Sequence, residues 1–388
     1  MIYLDHSATT PIDPRAEEVL ECVRRDLSGN PGSVHQAGQH ARVRLESDRE
    51  VLGRILGAEP REMIFTAGGT EANNLALKGY ALRVRAGSGS WPTIITARTE
   101  HHAVLHPIAW LKSLGCEVRY VDIDTEGRVD PDLLDQLLRT LQPPFLVTLM
   151  HANNETGVIN PIERLAGITH DRGGVFHTDA VQSFGKIPID EVAAAVDMLS
   201  ISAHKIGGPR GVGLLYAQRE IELEPLHHGG AQERDRRAGT EPVDLIAGMA
   251  EAARIAVDEM EETMSRLVGL REELRTKLST IHGVRFVTPQ KDVLPTILNV
   301  TFEDAGELDG AGLIVGMDIR GVAVSNGSAC TSGSMQPSHV LKGIGYPDAM
   351  ASSAVRFSLG RTTTDDDIRL GANALADVLH TMRKRIEN

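Results

Sequence analysis

Short apolar runs alternate with helical stretches through the first two-thirds of the chain, and this alternation restricts the fold more than any other feature. The runs are "MIFTA", "TIITA", "EVRYVDI", "FLVTLM", "GVFHTD" and "DMLSIS". Each is too short for an ordinary helix and reads as a buried strand. Strands separated by helices return in the same direction, so the expectation is an α/β fold with a largely parallel sheet flanked by helices. One such helix is "DPRAEEVLECVRRDL", where Asp13 and Pro14 form a cap and first turn and Ala16, Val19, Leu20, Val23 and Leu27 share a face. The stretches 85–92 ("RAGSGSWP") and 142–144 ("QPP") read as surface connections.

A continuous helical pattern runs from about Val243 to His282, and shorter strands follow: "ILNVTF", "GVAVS" and "AVRFSL". With 388 residues the chain exceeds one ordinary core. Two domains are therefore expected, with the boundary inside the long helical pattern. Residues 14–260 form a large domain, and residues 1–13 join 261–388 in a smaller α+β one.

The charge balance is acidic, at −13. That counts against a general nucleic-acid binder or a protein held on an anionic membrane. Cys22, Cys116 and Cys330 lie far apart without a CxxC pair, so neither a disulfide framework nor a cysteine zinc site is expected. The opening "MIYLDHSATTP" has no apolar core, so it is not expected to act as a signal peptide. A cytoplasmic location is the expectation.

Ligands of open parallel sheets bind outside the carboxyl ends of the strands. Gly68, Gly69 and Thr70 follow the first run, "RTEHH" the second and "HANNETG" the fourth; Asp179 and Gln182 end the fifth, and Ala203, His204 and Lys205 follow the sixth. A glycine turn opening a helix favours an anion, yet it equally reads as a tight turn with Thr70 as helix cap. Asp179 could pair with a protonated ring nitrogen, share a metal with His177, or simply cap the next segment. Lys205 leaves an apolar strand, where burial would favour its neutral amine and a Schiff-base or general-base role. A solvated loop lysine is the plain alternative. The three together are what pyridoxal phosphate requires: a phosphate cradle, an acid for the pyridine nitrogen and an amine. No HExxH occurs, so the histidines of "HHAVLH" and of 227–228 do not indicate a metal site.

The segments "YLDHSATTP", "GNPGSVH", "TAGGTEANN", "TEHHAVL", "HANNETGV", "HTDAVQSFGKIPID", "SAHKIGGPRGVG", "HHGGAQERDRRAGTE", "SNGSACTSG" and "VRFSLGR" occur in that order. In them the chain resembles the cysteine desulfurases of the NifS/IscS type, nearly end to end. The resemblance implies a class V aminotransferase-like, fold type I pyridoxal-phosphate enzyme with a mainly parallel seven-stranded sheet. It implies a homodimer with active sites at the interface, and the conversion of L-cysteine to L-alanine with sulfur passing to Cys330 as a persulfide. A sulfur-acceptor protein, an iron–sulfur scaffold or another carrier, would follow.

By the same resemblance Lys205 is the Schiff-base lysine, and Asp179 pairs with the pyridinium nitrogen. His101 stacks on the ring and moves protons. Gln182 and Asn154 lie near the ring's phenolic oxygen and the substrate. Gly69, Thr70, Ser202 and His204 form the phosphate site, joined by Thr240 of a second subunit. Arg356 clamps the substrate carboxylate with Asn30 nearby. Cys330 is the nucleophile, and its small, polar surroundings in "SNGSACTSGS" read as a mobile loop. Asn326 stands where the family often has a serine. "GAGLIVG" lacks the glycine spacing and preceding strand of a dinucleotide fingerprint. A selenocysteine lyase, another C–S lyase or an aminotransferase is the alternative, but an aminotransferase has no use for Cys330.

Overall fold

The computed structural model describes residues 1–327 and 336–387. Its central sheet has seven strands: β2 (Met63–Thr66), β3 (Thr93–Thr96), β4 (Val118–Tyr120), β5 (Phe145–Thr148), β6 (Val175–Asp179), β7 (Met198–Ser202) and β8 (Gly213–Ala217). Their spatial order is β2-β8-β7-β6-β5-β3-β4. All pairings are parallel except those of β8, which runs antiparallel to β2 and β7.

Alternate side chains leave such a sheet on opposite faces, and both faces here are covered. Met63, Phe65, Ile95, Val147, Leu199 and Ile201 pack in one apolar cluster with the helices Gln36–Leu56, Ile162–Asp171 and Val243–Asp258. Ile64, Ile94, Leu146, Met198 and Leu215 pack in a second cluster, with the helical stretch that starts at Gly69 and with His102–Ser113. Burial on both faces explains why the strands read as continuous apolar runs.

A third cluster gathers Leu4 with residues from Leu267 to Leu379. It packs the antiparallel sheet of β9 (Val284–Phe286), β10 (Ile297–Phe302) and β12 (Val355–Ser358) against the helices Met260–Ser279 and Asp365–Glu387. The amino terminus belongs to this layer, because β1 (Ile2–Tyr3) pairs with β11 (Val322–Ala323). Residues 5–13 then cross to the large sheet, where Thr10 N donates to His204 O at 2.9 Å.

The helix Pro14–Asp26 begins as its sequence predicts, with Asp13 accepting from Arg15 N. The pattern from Val243 to His282 is two helices, broken at Glu259 (φ −106°). Glu259 holds that break with ion pairs to Arg15 and Arg361. "GAGLIVG" lies in the helix Gly310–Ile319. Among the described residues no helix is long and apolar enough to cross a membrane.

Candidate active site

A cavity of about 570 Å³ opens where the carboxyl ends of β6 and β7 meet residues 5–8, 325–327 and Arg356 of the other layer. Lys205 ends a single 3-10 turn directly after β7. Its Nζ donates to the carbonyls of Ser7 and of Ala8, the latter at 2.8 Å. Burial, with the cation of Arg356 adding, pushes this amine down to about 8. The glycines after it serve the backbone: a Cβ on Gly208 would stand 2.9 Å from Ala203 Cβ and O, so the turn closes only without one.

Asp179 closes the inner wall. It is 6% exposed. Asn73 Nδ2 donates to Oδ2 at 2.7 Å, and Val181 N to Oδ1 at 2.9 Å. The metal reading fails here: His177 is fully buried, with one nitrogen 2.8 Å from Thr148 Oγ1 and the other 3.0 Å from Ser200 Oγ. Among the described residues no group of three or more His, Cys, Asp or Glu could hold a metal.

Gly69 starts a helix whose cap is Gly68, so Thr70 lies in the first turn of the helix and is not its cap. A Cβ on Gly69 would lie 2.6 Å from Val181 Cγ2, and Ser202 Oγ faces the same turn. His204 Nδ1 lies 3.1 Å from Thr9 Oγ1. Burial, then the nearby cations, push His204 down to about 4, so it is neutral at pH 7. His101 caps the helix His102–Ser113, its Nδ1 accepting from Ala103 N at 3.0 Å. Its ring reaches solvent through the cavity mouth, yet protein atoms crowd it. Desolvation holds its pKa below the ordinary imidazole value against the opposing pull of Asp179. With Nδ1 accepting, its proton sits on Nε2.

Arg356 is 3% exposed, so it is no surface ion pair. Nη2 donates to Asp5 Oδ1 at 2.9 Å and Ser325 Oγ at 2.7 Å, and Nη1 to Asn154 O at 2.8 Å. Nε is buried without a partner among the described residues, as is Nδ2 of Asn326 on the cavity wall. Gln182 and Asn154 line the cavity. Asn30 and Thr240 do not: both are exposed, and Asn30 Oδ1 instead accepts from Gly32 N at 2.8 Å. Cys330 and residues 328–335 of its expected loop lie outside the described residues.

The cavity also uses residues for which sequence reasoning assigned no role. Asn73 sits one helical turn beyond Gly69, a spacing that could have flagged it. Asp5, Ser7 and Ala8 had no such signal, since their partners are far away along the chain. The cations Lys205 and Arg356 face Asp5 and Asp179, with uncharged donors between them, in a chain that is acidic overall. This is a site for a small anionic or zwitterionic molecule next to an amine that burial makes easier to deprotonate.

An amine at one strand end and a buried acid at the next define a class, and the chain matches its family model: residues 2–370 fit "Aminotransferase class-V". The chain belongs to the class V aminotransferase family. Within that family it belongs with the cysteine desulfurases of the NifS/IscS type. It is 42% identical over 383 residues to the cysteine desulfurase IscS of Dictyoglomus turgidum, covering 98% of this chain and 95% of that one. A solved "NifS-like protein" superposes with a TM-score of 0.90 at 35% identity, covering 98% of this chain and 99% of the other. SspA, solved in complex with cysteine, superposes with a TM-score of 0.80 at 33% identity over 94% of this chain and all of that one.

Proposed function

We propose that the cavity binds pyridoxal phosphate and L-cysteine, and that the enzyme transfers the substrate's sulfur to Cys330, releasing L-alanine. One observation carries the reading: a lysine depressed to about 8 and a buried aspartate line one cavity from adjacent parallel strands.

The residues present fit the cofactor. Asp179, held by Asn73 and Val181 N, would meet the ring nitrogen and keep its proton by charge pairing. The Gly68–Gly69 turn, where a Cβ would strike Val181, together with Thr70, Ser202 and His204, would hold the phosphate. Thr240 is exposed and outside its own chain's cavity; in the homodimer the family resemblance implies, it would complete the site of a second copy. When bound, the cofactor supplies an electron sink for charge developing at the substrate's α-carbon.

The chain's own groups do the rest. Arg356 binds the substrate carboxylate, with its buried Nε and the neighbouring Asn154 available. Lys205 Nζ, once free, takes the α-proton as a neutral base. His101 Nε2–H is placed to return a proton. Cys330 stands three residues past Gly327, which lines the cavity. An extended segment of that length reaches roughly 10 Å. The Cys330 thiolate attacks the substrate sulfur, an S–S bond forms and the C–S bond breaks. The β-carbon takes a proton in place of sulfur. L-Cysteine and a thiol thus become L-alanine and a persulfide, with no outside oxidant or reductant.

The persulfide then passes to an acceptor protein, an iron–sulfur scaffold or sulfur carrier, in the cytoplasm. The separate cluster around Leu4 and residues 267–379 supports the division into domains 14–260 and 1–13 with 261–388.

The test is alanine and sulfide release from L-cysteine with a reductant present, wild type beside Cys330→Ala. Equal yields of both products from wild type and none from the variant are expected. A variant that releases sulfide at the wild-type rate would remove Cys330 from the reaction.

A second expectation concerns pH. The nucleophilic form of Lys205 is the neutral amine, and a pKa of about 8 makes it abundant above that pH. Uptake of pyridoxal phosphate by cofactor-free protein, followed by absorbance, should speed up as pH rises through about 8 and then level. A rate still climbing near pH 10 would place the amine at an ordinary lysine value.

A further inference from the structure

The amide of Gln182 has two chemically opposite ends, and its neighbours fix which way each points. Nε2 donates to Ser7 O at 3.0 Å, and Oε1 accepts from Lys186 Nζ at 3.0 Å. Ser7 O is also the acceptor for Lys205. Lys186 is buried, and Gln182 Oε1 is its hydrogen-bond partner among the described residues. No carboxylate there forms a salt bridge with it. The charged groups acting on it are Lys205 and Arg356, both cations, and burial with their repulsion lowers it to about 7. It also borders a second, mostly apolar cavity of about 130 Å³ with His6 and Thr296. An uncompensated amine in such a place costs stability that Met or Leu would not. Packing does not explain it.

We propose that Lys186 is a positioning residue that locks the Gln182 amide with its NH₂ toward Ser7 and the cofactor cavity. An amide NH₂ has two hydrogens. Ser7 O takes one, and the other is left to donate to an oxygen on the ring of the bound cofactor. Without the Lys186 contact the amide can rotate and turn its carbonyl toward that oxygen, replacing a hydrogen bond by repulsion. The inference rests on the cavity being the pyridoxal-phosphate site.

The test uses full-length wild type, K186M, K186R, Q182A, Q182E and the K186M/Q182A double variant. Each is stripped of cofactor and titrated with pyridoxal phosphate, and the dissociation constant and visible absorption maximum are recorded. K186M is expected to bind roughly tenfold more weakly and to shift the maximum in the direction Q182A does. K186R, which keeps a donor, should recover most of both. The double variant should behave as Q182A alone, since coupled partners are non-additive. Wild-type affinity and spectrum in K186M, or penalties that add in the double variant, overturn the proposal. Should K186M not fold, Q182E decides: it strengthens the bond to Lys186 but has no NH₂, and is expected to match Q182A. A Q182E protein with wild-type binding refutes the role. A wild type that takes up no pyridoxal phosphate instead refutes the reading of the cavity.

Discussion

Lys205→Ala is expected to lower kcat for alanine formation at least roughly a thousandfold, the range of a lost general base combined with a lost covalent anchor. The side chain is placed for that role and for little else. Among the described residues its Nζ contacts are two backbone carbonyls of residues 7 and 8, and no acid is bound to it. Removing it loses those two hydrogen bonds but also removes a costly buried amine, so these terms oppose each other. Stability should therefore change by no more than about 1 kcal/mol. Lys205→Arg separates charge from chemistry. Arginine keeps a cation near Asp5 and Asp179 but cannot present a neutral amine at working pH. Both variants should be equally inactive and should melt close to wild type. Turnover within tenfold of wild type in either would show that another group removes the proton.

Where the sequence made the fold plain, it did so through elements that bury both faces. Six apolar runs correspond to β2 through β7. The seventh strand, β8, escaped because "GLLYA" follows directly on the glycines after Lys205 and reads as part of their loop. It is also the one antiparallel member, inserted between β2 and β7. The break at Glu259 was invisible for another reason: Glu and Met are good helix formers, and the ion pairs there come from Arg15 and Arg361, far along the chain. At the site, Lys205, Asp179 and Gly69 could be read because a parallel sheet brings successive strand ends together. Asp5 and Arg356 meet across 351 residues of chain, which no local pattern announces. Lys186 looked like any lysine in a turn, and only its burial and its bond to Gln182, its one hydrogen-bond partner among the described residues, set it apart. The alternative reading of Thr70 as a helix cap fails because Gly68 takes that position, without a side-chain cap hydrogen bond.

The segment around Thr240 carries the largest stability effect expected in the molecule. Glu233→Ala should destabilise the protein by about 3–5 kcal/mol, the cost of stranding a buried charge. Glu233 and Arg49 have side chains 1% and 2% exposed. The guanidinium grips both carboxylate oxygens, at 2.8 and 2.9 Å, and Phe65 N adds a third donor at 3.1 Å. Arg49 also reaches Met63 O at 3.1 Å and lies over the Phe65 ring. This pair ties the helix Gln36–Leu56 and strand β2 to the loop that leads to Thr240. The loop pays for the contact in backbone strain: Glu233, Arg234 and Asp235 all have positive φ, at 46°, 57° and 63°. Non-glycine residues stay in that region only when their surroundings force it. Glu233→Ala removes the force and leaves the buried Arg49 with the solvent-exposed Glu46 carboxylate, 3.3 Å from its Nε, in place of its buried bidentate anion. Glu233→Gln keeps the shape and should cost less. Arg49→Met with Glu233→Met removes both charges together and should recover much of the loss, because an apolar pair carries no desolvation penalty. Urea denaturation midpoints of the four proteins decide it. If Glu233→Ala unfolds within about 1 kcal/mol of wild type, the pair does not hold the loop. If the double variant is as unstable as Glu233→Ala, the shape of the ion pair matters more than its buried charge.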